Sequence, residues 1–303
     1  MLNTYQLRMN YNISPDSCKK ASEGLARDIA EYFHIDSFPQ LLSYKTRIYQ
    51  DLSLPEKKFP LIIYAAGMNG SSWENVVLFD SLTKAGYVVA SISSVGKFPG
   101  FMTEAVDLAE QVQDILFAKQ EMKKFPFIDS NSIGLLSLSL GGSAMTKAAM
   151  LSNDFNCLLS LDGTEIHYYG FDTAWDQQFK QIMKIYPFSP ESIHVPYMYL
   201  SSEHPKKIDS IYIFPDHVSS KEKYFFQFNG GEHEDFSSLF NIAKSVNPKL
   251  GNIDSGRHEI ICGLALSFFN QYLKGSGDTK VSDKIDELVT TKPRKFSTTY
   301  PKK

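Results

Sequence analysis

A chain of 303 residues can build one large domain or two small ones, and 43% apolar content is ordinary for a globular protein with a sizeable core. A formal net charge of −3 gives no broad electrostatic case for nucleic acid, and no stretch approaches the ~18 uninterrupted apolar residues of a membrane span. Cys18, Cys157 and Cys262 lack metal-site spacing, and an odd count argues against a disulfide framework; Cys157 and Cys262 lie in apolar runs and read as inert core thiols.

Residues 1–12 hold no apolar h-region, so no signal peptide is expected; the residues specify neither compartment nor oligomeric state. A helix is predicted over 18–33, where Ala21, Leu25, Ile29 and Phe33 recur every four residues and form a core-facing stripe. Alternation over 43–52 predicts an early strand, and Pro55 to Lys58 a turn. The apolar run 59–66 is a strong strand that empties into Gly67-Met-Asn-Gly-Ser-Ser72, followed by a helix over 74–84 with Val77, Leu78 and Leu82 apolar. A buried strand over 86–92 and a glycine- and proline-bearing loop over 93–101 come next. Ala105, Ala109, Val112 and Leu116 then set an amphipathic helix over 102–124.

Ile133, Leu135 and Leu136 mark a further buried strand, which breaks at Ser137-Leu-Ser-Leu-Gly-Gly142 before a helix-favouring Ala/Met segment. Ser139 is the centre of this turn, and Ser137 and Gly141 on either side are small enough for strand and helix to approach closely. Such a strand–turn–helix lifts a serine hydroxyl above the sheet and aims a helix N-terminus at whatever it attacks. The bland reading is a Gly/Ser turn closing an ordinary β-α unit.

Strands over 155–161, 195–200 and 223–228 end in Asp162-Gly163, Ser201-Ser-Glu203 and Asn229-Gly-Gly-Glu-His233. Between the first two, 163–194 departs from the rhythm and holds Tyr168, Tyr169, Phe171, Trp175, Phe179, Tyr186 and Phe188. It reads as core and cap packing, or as an apolar wall over an acyl or aryl pocket. A helix over 257–274 closes on Gly275, a short helix over 281–289 follows, and 290–303 reads as a polar, solvated tail. The alternation of strands and helices predicts an α/β fold: a mostly parallel central sheet covered by helices on both faces. With no repeat and no linker visible, 1–303 reads as a single domain with its core at about 43–275, a small cap insertion at 163–194 and the tail at 290–303.

In such a sheet, functional groups collect at the carboxyl ends of the strands. Ser139 is the candidate nucleophile. His233, in a loop after the last core strand and behind two glycines, is the candidate base. His258, His167, His194, His204, His217 and His34 are weaker competitors by position. Two acids could orient the imidazole: Asp162, at a sharp strand exit, and Glu203, at the next strand end but beside His204, Lys206 and Lys207. The backbone N–H groups of Leu140 and Met68 are the expected oxyanion donors, with Gly67 and Gly70 freeing the second loop to adopt the required angles.

Together these residues resemble the α/β-hydrolase superfamily, and within it the platelet-activating-factor acetylhydrolase and dienelactone-hydrolase-like serine esterases. The resemblance runs from about Phe59 to Lys274. It rests on Phe59-Pro-Leu-Ile-Ile-Tyr with its Gly67-Met68 loop, Ser-Leu-Ser139-Leu-Gly-Gly, Ser-Leu-Asp162-Gly, Pro196-Tyr-Met-Tyr-Leu-Ser-Ser-Glu203 and Gly-Glu-His233-Glu-Asp-Phe236. It implies an α/β-hydrolase fold, Asp162 rather than Glu203 as the acid, and cleavage of a small-molecule or lipid-like ester through an acyl-enzyme with neither metal nor cofactor. The chain departs from the pattern in three places. The nucleophile is serine where dienelactone hydrolases carry cysteine, Ala66-Gly67 stands for the usual His-Gly, and Ser137 for the elbow's first glycine. A peptidase or thioesterase on the same three groups, and a non-catalytic binding module, are the competing expectations.

Overall fold

The computed structural model describes residues 14–32, 39, 41, 56–94, 107–204, 209–247, 249, 255–276 and 280–298. The strand expected over 43–52, the loop over 95–101 and the first turn expected of the helix over 102–124 lie outside them.

Among the described residues seven strands form one sheet: β1 (Phe59–Ala65), β2 (Val88–Ile92), β3 (Ile128–Leu138), β4 (Cys157–Leu161), β6 (Tyr197–Ser201), β8 (Lys223–Phe228) and β9 (Phe296–Ser297), in the order β2-β1-β3-β4-β6-β8-β9. Every pairing is parallel except that of β9 with β8. Parallel strands need crossovers, and the helices that supply them bury both faces. Strand alternation divides the side chains: Leu61, Ile63 and Ala65 of β1 join one apolar cluster, Ile62 and Tyr64 the other. The first cluster is closed by α3 (Asp107–Met122) and α4 (Leu140–Leu151), through Val112, Ile115, Ala144 and Ala148. The second is closed by α2 (Val76–Lys84), α7 (Ser255–Leu273) and α8 (Val281–Thr291), through Leu78, Leu82, Ile261, Phe268 and Ile285. Helix α4 is buried from Leu140 to Ala149, which its all-round small and apolar composition permits.

Three local expectations change. In α1 (Pro15–Tyr32) Ala21, expected to face the core, is exposed, while Ser22, Ala26 and Ala30 are buried; the side chains of Leu25, Ile29 and Phe33 lie outside those described. Glu74 is not the first residue of a helix but lies buried before α2, whose N-cap is Asn75. The chain end at 290–303 is not a plain solvated tail: Phe296 is 3% exposed and stacks among Phe226 and Phe228 as β9 extends the sheet.

Between β4 and β6 the chain forms β5 (His167–Tyr169), α5 (Thr173–Ile185) and a 3-10 turn at Pro190–Ser192. Strand β5 pairs antiparallel with β7 (Ser210–Tyr212), which lies beyond β6, so this layer draws on residues outside 163–194. Cys157 is buried in β4 and Cys262 is partly buried in α7, both as free thiols; burial pushes Cys262 up to about 12. Among the described residues no helix is long and apolar enough to cross a membrane.

Candidate active site

Because β3, β4, β6 and β8 are neighbours and parallel, the segments after them open at one edge of the sheet. Ser139 follows β3, Asp162 follows β4 and Ser202 follows β6. His233 opens a 3-10 turn, His233–Phe236, five residues beyond β8. Ser139, Asp162, Ser202 and His233 line one cavity of about 530 Å³.

Ser139 sits at φ 54°, ψ −126°, a left-handed setting that costs a non-glycine residue on the order of 1–3 kcal/mol. The surroundings hold it there. Its N–H donates to Leu161 O (3.0 Å), and its carbonyl accepts from Gly142 N (2.9 Å) and Thr164 N (3.0 Å). A Cβ on Gly141 would run into the Ala65 and Ala66 carbonyl oxygens, and one on Gly142 into the Glu165 carboxyl. Glu165 is buried, accepts from the Tyr197 hydroxyl (2.5 Å), and is raised above the usual carboxylate range by burial. Its carboxyl lies against Gly142 and Gly163, a placement that sequence spacing did not announce.

Asp162 also takes a positive φ, 47°. Its carboxylate accepts from Ser202 N (2.8 Å) and the Ser202 hydroxyl, and its Oδ2 lies 2.6 Å from His233 Nδ1. With Nδ1–H donating to Asp162, His233 keeps Nε2 free to act as a base. The ring lines the cavity and is 48% exposed. Burial opposes charge on His233, but the Asp162 hydrogen bond and charge, helped by Glu234 and Glu74, outweigh it and raise the imidazole above its usual value. Among the described residues no hydrogen bond joins the Ser139 hydroxyl to the ring.

Glu203, the other candidate acid, is exposed; its Oε2 accepts from Gly230 N (2.9 Å) and its N–H donates to Gly231 O (3.0 Å). It braces the loop leading to His233 and is not bonded to the imidazole. Gly230 (φ 68°) lets that loop turn back, and a capping box between Glu232 and Asp235, with Arg257 on Asp235, fixes the turn that carries His233.

The expected oxyanion donors, Leu140 and Met68, follow the serine and the residue packed against it, though neither lines the cavity. Leu140 N–H is the first of α4 and so has no intrahelical acceptor. Gly67 is pressed against Ser139: a Cβ at 67 would stand 3.3 Å from the Ser139 Cβ. Met68 N–H, next in that loop, has no hydrogen-bond partner among the described residues.

Of the competing histidines, His167 also lines the cavity, with Nε2 2.7 Å from Asp176 Oδ1 and its ring stacked on Phe179. His258 is buried between Ser238 and the Asp235 carbonyl, His204 faces Gln227, His217 stacks on Tyr212, and His194 is exposed. His34 lies outside the described residues. Tyr168, Phe171, Trp175, Phe179 and Tyr199 form the cavity's aromatic wall, with Phe171 and Trp175 at the rim. Among the described residues no group of three or more His, Cys, Asp or Glu side chains could hold a metal ion.

A largely parallel sheet wrapped by helices, with a serine at a strained strand-to-helix turn, defines an α/β-hydrolase fold. Comparison with solved structures agrees. The chain is similar to a ferulic acid esterase from Streptomyces cinnamoneus, with a TM-score of 0.59 at 15% identity over 80% of this chain and 74% of that one. No family model matches the sequence, and no curated protein matches it.

Proposed function

We propose that the protein is a serine hydrolase that cleaves a carboxylic ester through an acyl-enzyme. The carrying observation is that Ser139, held at positive φ on a strand-to-helix turn, shares a cavity with His233, whose Nδ1 lies 2.6 Å from Asp162. The fold shared with an esterase supports the same reading.

In this reading Ser139 Oγ attacks the ester carbonyl as His233 Nε2 takes its proton. The imidazolium is stabilised by Asp162, and the carbonyl oxygen, now an oxyanion, accepts from Leu140 and Met68 N–H. His233 returns the proton to the departing alcohol oxygen as the C–O bond breaks. Water repeats the sequence on the acyl-enzyme: His233 takes its proton, the hydroxide adds, and Ser139 leaves reprotonated. A peptidase or thioesterase uses the same steps with another leaving group. A binding module shares the cavity but reacts with nothing, so a fluorophosphonate probe separates it from all three.

The aromatic wall supports an apolar acyl or aryl group on the substrate, in a cavity whose size is ordinary for a small-molecule site. We take β5, α5 and β7 as the covering layer that supplies this wall. Trp175→Ala should raise KM for p-nitrophenyl esters of bulky acids about tenfold while leaving kcat and p-nitrophenyl acetate near wild type, because it removes contact made equally in ground and transition states. Steady-state kinetics across a chain-length series checks this. A KM unchanged for every ester would place the acyl group elsewhere.

A further inference from the structure

One buried acid near the site has no part in the steps above. Glu74 is 6% exposed, and its Oε1 accepts from Gly67 N (2.9 Å) and from the Tyr64 hydroxyl (2.6 Å). Gly67 is the residue pressed against Ser139. Its N–H is thus held on a carboxyl, while Met68 N–H, one residue on, has no partner among the described residues. Gly70 N closes the turn onto Gly67 O (2.8 Å), and a Cβ at Gly70 would collide with Glu74 Oε2. The glycine at 70 therefore makes room for this carboxyl as well as for the turn.

The contacts continue. Asn75 Nδ2 donates to the Tyr64 hydroxyl (2.9 Å), and Asn75 Oδ1 accepts from Ser238 N (3.0 Å). The Ser238 hydroxyl meets His258 Nε2 (3.2 Å), and His258 Nδ1 meets Asp235 O (3.1 Å). Asp235 belongs to the 3-10 turn that His233 opens. A second link runs from the Ser237 hydroxyl to Glu74 O (3.2 Å). One buried polar network thus joins the loop beside Ser139 to the turn bearing His233.

We propose that Glu74 is a positioning residue: its carboxyl fixes the Ala66–Gly67 peptide, so that the following peptide, which carries Met68 N–H, is oriented toward Ser139, and locks that loop to the His233 turn. This rests on the hydrolase reading above and assigns the network a part in it. Charge adds a second coupling. Burial raises Glu74 to about 7, with Tyr64, Gly67 and His233 pulling the other way, so its charge changes near neutral pH. The titratable groups acting on it are Tyr64 from β1 and His233; those acting on His233 are Asp162, Glu234 and Glu74. Ionised Glu74 favours the imidazolium.

Two variants test the assignment. Glu74→Gln keeps an acceptor for Gly67 N–H and the Tyr64 hydroxyl but discards the charge. Glu74→Ala discards both and leaves two buried donors unpaired. For p-nitrophenyl acetate, Glu74→Ala should lower kcat about 10–100-fold with KM nearly unchanged, short of the loss of a whole oxyanion donor. Glu74→Gln should recover most of that kcat and move the acid limb of kcat/KM to lower pH. NMR titration should show the His233 ring of Glu74→Gln deprotonating at lower pH than in wild type. That readout needs no turnover, so it still judges the charge coupling if wild type proves inactive and the hydrolase reading falls. The assignment is overturned if wild type turns over and Glu74→Ala matches it, if Gln and Ala lose kcat equally, or if His233 titrates identically in Glu74→Gln. Thermal melts identify an unfolded Ala variant, and the near-isosteric Gln variant then decides through its acid limb and titration.

Discussion

Ser139→Ala should abolish covalent labelling by a fluorophosphonate and lower kcat for p-nitrophenyl esters by on the order of 10⁶-fold, leaving only what binding and the oxyanion donors supply without a nucleophile. The variant keeps the backbone and the cavity, so the loss isolates the hydroxyl. Ser139→Gly should be equally inactive yet more stable. At φ 54° the serine pays a conformational cost that glycine does not, and relief of about 1 kcal/mol is expected as a rise in melting temperature. A dead but stabilised variant is the signature of backbone strain kept for function. Equal labelling of wild type and Ser139→Ala, or labelling of neither, would end the hydrolase reading.

Asp162→Asn is expected to lower kcat/KM about 10⁴-fold, because an amide can hold His233 in the wrong tautomer and no longer stabilises its positive form. The pH profile should change in a fixed direction. His233 must be neutral to accept the Ser139 proton, and its raised value places the acid limb of the wild-type profile above that of an ordinary imidazole. Removing the Asp162 charge removes the main contribution raising it, so the residual activity should persist to lower pH than in wild type. Glu203→Gln is the matched control. Its side chain accepts from Gly230 N, an amide oxygen can do the same, and turnover within a fewfold of wild type is expected. Full activity in Asp162→Asn with loss in Glu203→Gln would transfer the role to Glu203.

The elements that sequence reads well here are those whose signal is local. The apolar runs at 61–65 and 224–226 lie in strands because residues buried on both faces need no alternation. The Ser139 turn was visible because small residues must flank a strand-to-helix corner whatever the rest of the fold does. In α1 spacing alone put Ala21 on the core side, whereas its side chain is exposed and Ser22, Ala26 and Ala30 are buried. The edge strand β9 escaped because Phe296 and Ser297 carry no periodicity of their own; they order by pairing with β8 and packing on its phenylalanines.

By itself, the order of residues determined an α/β layer structure, a serine at a sharp corner, and a small set of acids and histidines at strand ends. It left two carboxylates for one imidazole. Only the packed sheet decided which meets it: Asp162 leaves β4 next to Ser139, while the loop after β8 folds back past β6, with Glu203 held on Gly230 and the His233 ring delivered to Asp162. The same packing buried Glu74 under the Gly67 loop, where helical spacing had placed it on an ordinary helix. The reason is range. Periodicity and turn chemistry act over a few residues, whereas these contacts join groups 7 to 163 positions apart, set by strand order and register.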